Sequence, residues 1–181
     1  MTRTMTDAER DEFLSLPHVA VLAVAADDRP PLTVPVFYAY RDGRITFFTG
    51  TQGRKARKTR LLARAGAFSL CVQQATYPYK YVTAECVVER ADRSPSVDDV
   101  RAVGSRYMPE EDARAFAEAE TATPGGTFVL FTGRPVRWLT SDVGEPDGSE
   151  SDGSESDGSE SDGSESDGGG VGEPDDSRPD A

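Results

Sequence analysis

Cysteine and histidine are scarce in this chain, and each scarcity removes a class of function. Only Cys71 and Cys86 are present, 15 positions apart and outside any Cys-x-x-Cys arrangement. A disulfide framework and a thiolate metal centre are therefore not indicated, and both residues read as small apolar side chains in strands. His18 is the single histidine, so no His-based metal set can form. No run approaches the 18 consecutive apolar residues of a membrane helix. The greasiest stretch, Val19 to Ala26, is strand length and follows an acidic, proline-containing lead-in rather than a basic signal segment. We therefore expect a cytoplasmic protein with no membrane partner.

Apolar residues are missing almost completely from the last 40 positions, where only Val143, Val171 and Ala181 qualify. The same stretch holds 15 acids against Arg178 alone, a charge of −14, while 17 acids and 19 bases leave residues 1–141 at +2. The pentapeptide Asp-Gly-Ser-Glu-Ser runs four times without a break from Asp147 to Ser166. A repeat without an apolar residue cannot stack into a solenoid, and it buries too little surface to offset the entropy of ordering. The expectation is one domain over 1–141 and a disordered, self-repelling acidic tail over 142–181.

Within the domain the pattern is mainly β. Thr6-Asp7-Ala8-Glu9 is a capping box for a short first helix that Pro17 ends. Val19–Ala25 and Leu32–Tyr40 read as strands, the second alternating through Val34, Val36 and Tyr38; the Asp42-Gly43 turn then leads into Ile45–Thr49. A helix over 53–64 and strands over 67–74 and 79–89 follow. Ser94-Pro95 is expected to cap a helix reaching about Tyr107, a second helix runs from Pro109 to about Glu120, and 127–132 with 135–139 form a last strand or bent pair. Six or so short, mostly antiparallel strands with a few helices suit a small closed or partly closed barrel.

Chemistry concentrates in Phe48-Thr49-Gly50-Thr51-Gln52-Gly53-Arg54-Lys55 and the basic residues that follow. A strand ends, a Gly/Thr loop turns, and a helix opens on cations, which is unfavourable for the helix dipole unless something anionic compensates. A phosphate would meet backbone N–H groups, Thr hydroxyls and two cationic side chains there. The spacing is that of neither a P-loop nor a dinucleotide fingerprint. A solvated basic helix face is the alternative; nucleic acid binding is not expected at +2 without an aromatic-rich basic face.

The order of helix, strand, Pro-Leu-Thr-Val-Pro-Val-Phe (Pro31 to Phe37), Asp-Gly turn, Ile-Thr-Phe-Phe-Thr (Ile45 to Thr49) and Arg54-Lys55 resembles the pyridoxamine 5′-phosphate oxidase-like split barrels. The Tyr79–Glu85 strand and the closing Val136-Arg137-Trp138 also look like the small actinobacterial-type branch, whose members use FMN or the deazaflavin coenzyme F420. The resemblance implies a six-stranded split barrel and a flavin- or F420-dependent oxidoreductase acting on an unidentified small molecule. It implies that Thr49, Arg54 and Lys55 hold the cofactor phosphate, that the backbone of Leu32, Thr33, Val34, Pro35 and Val36 lines the ring system, and that Lys80 contacts an anionic ligand tail. It also implies a homodimer, with Trp138 covering the cofactor across the interface. The Arg and Lys that the true oxidases carry on the ring strand fall on Thr33 and Tyr38 here, so the resemblance does not extend to pyridoxamine phosphate oxidase activity. Gly53 stands where Ser is frequent before Arg-Lys, and Glu85-Cys86 where small relatives often have Glu-Gly. A cofactor carrier for flavin, deazaflavin, haem or a related tetrapyrrole is the other class consistent with these residues.

Overall fold

The computed structural model describes residues 2–144, apart from positions 28, 52, 54 and 123–126 and the side chain of Lys55. The acidic repeat lies outside the described residues. Among the described residues, eight strands form one antiparallel sheet, accompanied by four short helices.

The chain opens with β1 (Thr2–Arg3) and α1 (Asp7–Ser15). The Thr6 side chain accepts from the Glu9 backbone N–H, and the Glu9 carboxylate accepts from the Thr6 N–H at 2.7 Å, which completes the capping box. Next come β2 (Ala20–Val24), β3 (Leu32–Val36), β4 (Ala39–Arg41) and β5 (Arg44–Gly50). Asp42 and Gly43 both adopt positive φ, 51° and 70°, the left-handed geometry that fits the twist of a tight hairpin. Helix α2 (Lys55–Ala65), β6 (Ala67–Gln74), β7 (Tyr79–Asp92), α3 (Val97–Gly104), α4 (Glu110–Thr121) and β8 (Phe128–Val143) complete the domain.

Two expectations are corrected. Leu32–Tyr40 is not one strand but two, β3 and β4, broken at Phe37–Tyr38, so with β1 the count rises from six to eight. Ser96, not Ser94, caps α3, because its side chain accepts from the Asp99 N–H three residues on and Asp99 returns the bond. Of the two forms expected for the last element, the single strand is the one present, β8, and its Pro135 sits where the β7–β8 register shifts between Glu85 and Cys86, the place a strand tolerates a residue without an N–H. This strand also continues through Asp142 and Val143, two residues past position 141.

The sheet order is β3-β2-β6-β7-β8-β5-β4, with β1 added on β8. Thus β3 and β4 are its opposite margins, yet only Phe37 and Tyr38 separate them in the chain. Two residues reach no further than about 10 Å between the flanking Cα atoms. The sheet must therefore curl until its margins lie side by side without pairing, which leaves a barrel with one unzipped seam. Leu22, Tyr38, Ile45, Phe47, Leu70, Val72, Val82 and Phe131 form one core with Leu14 of α1 and Leu62 of α2, all fully buried. Gly133 permits the tightest contact, since a Cβ there would stand 2.4 Å from the Phe68 ring.

Tyr107, just after α3, closes over the seam. Its Oη accepts from the Tyr38 N–H at 3.2 Å and lies 3.0 and 3.1 Å from the carbonyl oxygens of His18 and Tyr38, which share its proton. Its ring stacks on Phe37 at 4.3 Å. The Tyr38 hydroxyl in turn donates to Leu14 O at 3.0 Å.

Candidate functional site

The β5–α2 junction is built by three threonines. Thr49 is 1% exposed and its Oγ1 lies 2.6 Å from that of Thr59, while the Thr59 hydroxyl donates to Gly50 O at 2.8 Å. Thr59 has one proton and directs it to Gly50, so the Thr49 proton goes to Thr59. Thr49 thus ties the strand end to α2 and keeps only acceptor capacity. Thr51 extends the junction on the other side, its N–H and hydroxyl both reaching Thr127 O, at 2.8 and 3.1 Å.

Gly53 has φ +56°, a left-handed conformation that a serine would adopt only with strain, and this accounts for glycine at the entry to α2. Arg54 lies outside the described residues, and Lys55 is the first residue of α2. No acid occupies the first turn of α2. From that turn onward, Arg57, Arg60 and Arg64 follow at the three- and four-residue spacing that places them on one helix face. They meet Arg29 from the β2–β3 loop around a cavity of about 420 Å³, completed by Ala26, Asp27 and Leu61. Asp27 pairs with Arg64; Arg29, Arg57 and Arg60 have no acidic partner among the described residues.

The expected ring-lining segment is β3, a marginal strand whose residues pair only with β2. Leu32 and Val34 are half-buried, Thr33 and Pro35 exposed, and Val36 buried. One long edge of its main chain is consequently outside the ladder, and Pro35 contributes no N–H to it.

Lys80 and Trp138 are placed elsewhere. Lys80 pairs with Asp142 at 3.2 Å, and Arg3 joins the same carboxylate oxygen at 2.8 Å. Asp142 is 4% exposed, so this is a nearly enclosed anion held by two cations, with Oδ1 buried and unpartnered. Lys80 opposes Gln74 at the far end of β6, seven residues or about 23 Å from Ala67. Its cavity, about 270 Å³ between α1 and Gln74, shares no lining residue with the arginine cavity. Trp138 opposes Ala84, packs against the core, and carries the Arg10 guanidinium 4.5 Å above its ring.

Tyr38 is core, whereas Tyr77, Tyr79 and Tyr81 stand 59%, 55% and 43% exposed. Ladder register places Pro35, Val21, Cys71, Thr83 and Leu139 in one row across five strands, an uncharged stripe on the outer sheet face. His18 stacks on Phe13 at 4.9 Å and its Nε2 is buried without a partner; burial, aided by the Arg106 charge, lowers its pKa below the ordinary value. The Cys86 thiol is pushed up to about 12 by burial, so it is not a nucleophile at neutral pH. No group of three His, Cys, Asp or Glu among the described residues is arranged to hold a metal ion. No described helix is long and apolar enough to cross a membrane.

Residues 6–133 match the family described as pyridoxamine 5′-phosphate oxidase. The chain belongs to that family. Its unzipped, eight-stranded sheet is the split barrel expected of family members. No curated protein matches the chain. Among solved structures it is similar to an F420 reductase, with 20% identity, TM-score 0.51 and coverage of 71% of this chain and 94% of that one. A FAD-binding protein from Mesorhizobium loti gives 21% identity, TM-score 0.52 and coverage of 78% and 98%. HutZ, the heme storage protein from Vibrio cholerae, gives 16% identity, TM-score 0.56 and coverage of 76% and 96%. At such identities these likenesses concern the fold alone.

Proposed function

We propose that this member of the pyridoxamine 5′-phosphate oxidase family is an oxidoreductase that uses a flavin-type cofactor, FMN or coenzyme F420, to pass a hydride to or from a small molecule. The observation that carries the reading is the β5–α2 junction. A left-handed glycine turn delivers the chain into a helix with no acid in its first turn and cations at every turn, an arrangement that repels itself until an anion sits there. Arg54 and Lys55 would hold the cofactor phosphate, with the first backbone N–H groups of α2 beside them. Thr49 supports that loop from beneath, since its proton is already given to Thr59.

A flavin or deazaflavin, once bound, supplies the hydride chemistry. The protein's share is placement. The free edge of β3, from Leu32 to Val36, offers main-chain groups and a flat Pro35 face for the ring. The uncharged outer stripe through Val21, Cys71 and Leu139 suits burial against a second copy, and a homodimer is part of the proposal. Lys80 is left out of the ligand set because its charge already meets Asp142.

A storage or carrier role for a flavin, deazaflavin or tetrapyrrole is the second reading. It is favoured by the heme storage function named for HutZ. One experiment separates the two. FMN and F420 are titrated separately into the full chain by absorbance, and the bound, reduced cofactor is mixed with candidate acceptors. Binding that weakens at least tenfold in the Arg54→Ala/Lys55→Ala variant, with accelerated reoxidation, supports the oxidoreductase. Binding without acceleration supports the carrier, and unchanged binding in a folded variant refutes the phosphate site.

A further inference from the structure

The arginine cavity is not absorbed by a single cofactor phosphate. Arg57 and Arg60 lie on the first and second turns of α2 beyond its opening residue, and Arg29 arrives from a different element. Three guanidiniums without acidic partners among the described residues repel one another across a shared space of about 420 Å³, a cost that an anion removes. Guanidinium forks match the paired oxygens of carboxylates and phosphates.

The cavity also has an apolar continuation. Ala26 and Leu61 line the arginine space itself; the consecutive pairs Ala25–Ala26 and Arg64–Ala65 each contribute one residue to it and one to a neighbouring groove of about 470 Å³. That groove is lined by Ala23, Ala25, Ala65, Ala67 and Val136, with the Phe68 side of the core beneath, and Glu85 is its one charged wall. Its position relative to β3 is fixed by register: Ala23 is the ladder partner of Thr33. One end of the combined site is therefore cationic and the other apolar, and the apolar end runs beside the strand assigned to the ring.

We infer that the substrate is an anionic amphiphile, whose carboxylate or phosphate head binds Arg29, Arg57 and Arg60 and whose hydrocarbon part lies in the alanine groove next to β3. Turnover of this ligand rests on the oxidoreductase reading, but the binding site stands on its own geometry.

The test is calorimetric titration of the cofactor-free full chain with inorganic phosphate, n-hexyl, n-octyl and n-decyl phosphate, the matching n-alkyl carboxylates, and n-decanol. Affinity for the alkyl phosphates should rise with length, by up to about fourfold per methylene, and n-decanol should bind at least tenfold more weakly than n-decyl phosphate. Arg57→Gln/Arg60→Gln should weaken decyl phosphate at least tenfold, and Arg29→Gln, in a loop, gives the same direction should the helix variant fail to fold. Ala67→Phe should abolish the length dependence while sparing inorganic phosphate. The carboxylate series shows which head group is preferred. Length-independent binding, or tight binding that survives both arginine variants, overturns the inference. FMN and F420 are titrated into the same samples: cofactor binding without amphiphile binding sinks this inference alone, and amphiphile binding without cofactor binding sinks only the redox reading.

Discussion

Replacing Tyr107 by Phe is the most direct test of how the seam is held. The phenol accepts the Tyr38 N–H and donates one shared proton towards His18 O and Tyr38 O, while its ring stacks on Phe37. Phe keeps the ring and the stack and removes only the oxygen. Tyr38 is fully buried, so its backbone N–H is left without a partner, at a cost of about 1–3 kcal/mol. The two carbonyls retain lone pairs that can be met less well by neighbours, and they add at most about 1 kcal/mol. A loss of about 2–3 kcal/mol is expected, a fall in Tm on the order of 5–10 °C for a domain of this size. Urea denaturation followed by circular dichroism should show a lower midpoint at unchanged slope. A loss under about 0.5 kcal/mol would refute the clamp.

Further consequences can be measured in the same way. Thr59→Val should cost about 1–3 kcal/mol, because it strands both the Thr49 proton and Gly50 O, whereas Thr49→Val should cost less and leave cofactor affinity within about twofold; equal costs by urea melts would contradict the donor order assigned here. Gly133→Ala should lower stability by at least about 1–3 kcal/mol through the Phe68 clash, and Phe68→Leu in the same chain should recover part of it; calorimetric melts decide. For pH, His18 has a folded pKa below its ordinary 6.5, so the unfolded chain takes the proton first and stability falls as pH drops below about 6.5. Glu9 is held down to about 2 by Arg3 and by the Thr6 hydrogen bonds, so its contribution is present above its ordinary 4.5 and is lost as pH falls towards 2. Urea midpoints between pH 7.5 and 5 should flatten in His18→Gln; an unaltered profile would exclude His18 as the source.

Local signals carried much of the fold. Thr6 and Glu9 stand at capping-box spacing, Asp42-Gly43 is a turn dipeptide, and β2, β6 and β7 are rich in β-branched and aromatic residues, so each is decided within a few residues of itself. The break at Phe37–Tyr38 was hidden because alternation continues unbroken from Val34 to Tyr38. What ends β3 is Tyr107, some 70 positions away. The same distance effect governs Lys80, whose partner Asp142 is 62 positions along and looked like part of the acidic run. At the junction, the basic character of α2 was legible. Arg29 was not, since nothing local tells a loop arginine that it will face a helix. The inward commitment of the Thr49 proton was equally out of reach, for it depends on which oxygen Thr59 chooses.

The two-residue bridge between β3 and β4 has a mechanical corollary. Whatever settles along the free rim of β3 presses on a ribbon that is stitched, within one step, to the opposite rim, and the Asp42-Gly43 hairpin is the outer end of that second ribbon. With Tyr38 fully buried and its N–H held by the Tyr107 phenol, both rims hang from one anchored point in the core, so the start of the Asp42-Gly43 ribbon is set by the same contacts that end β3.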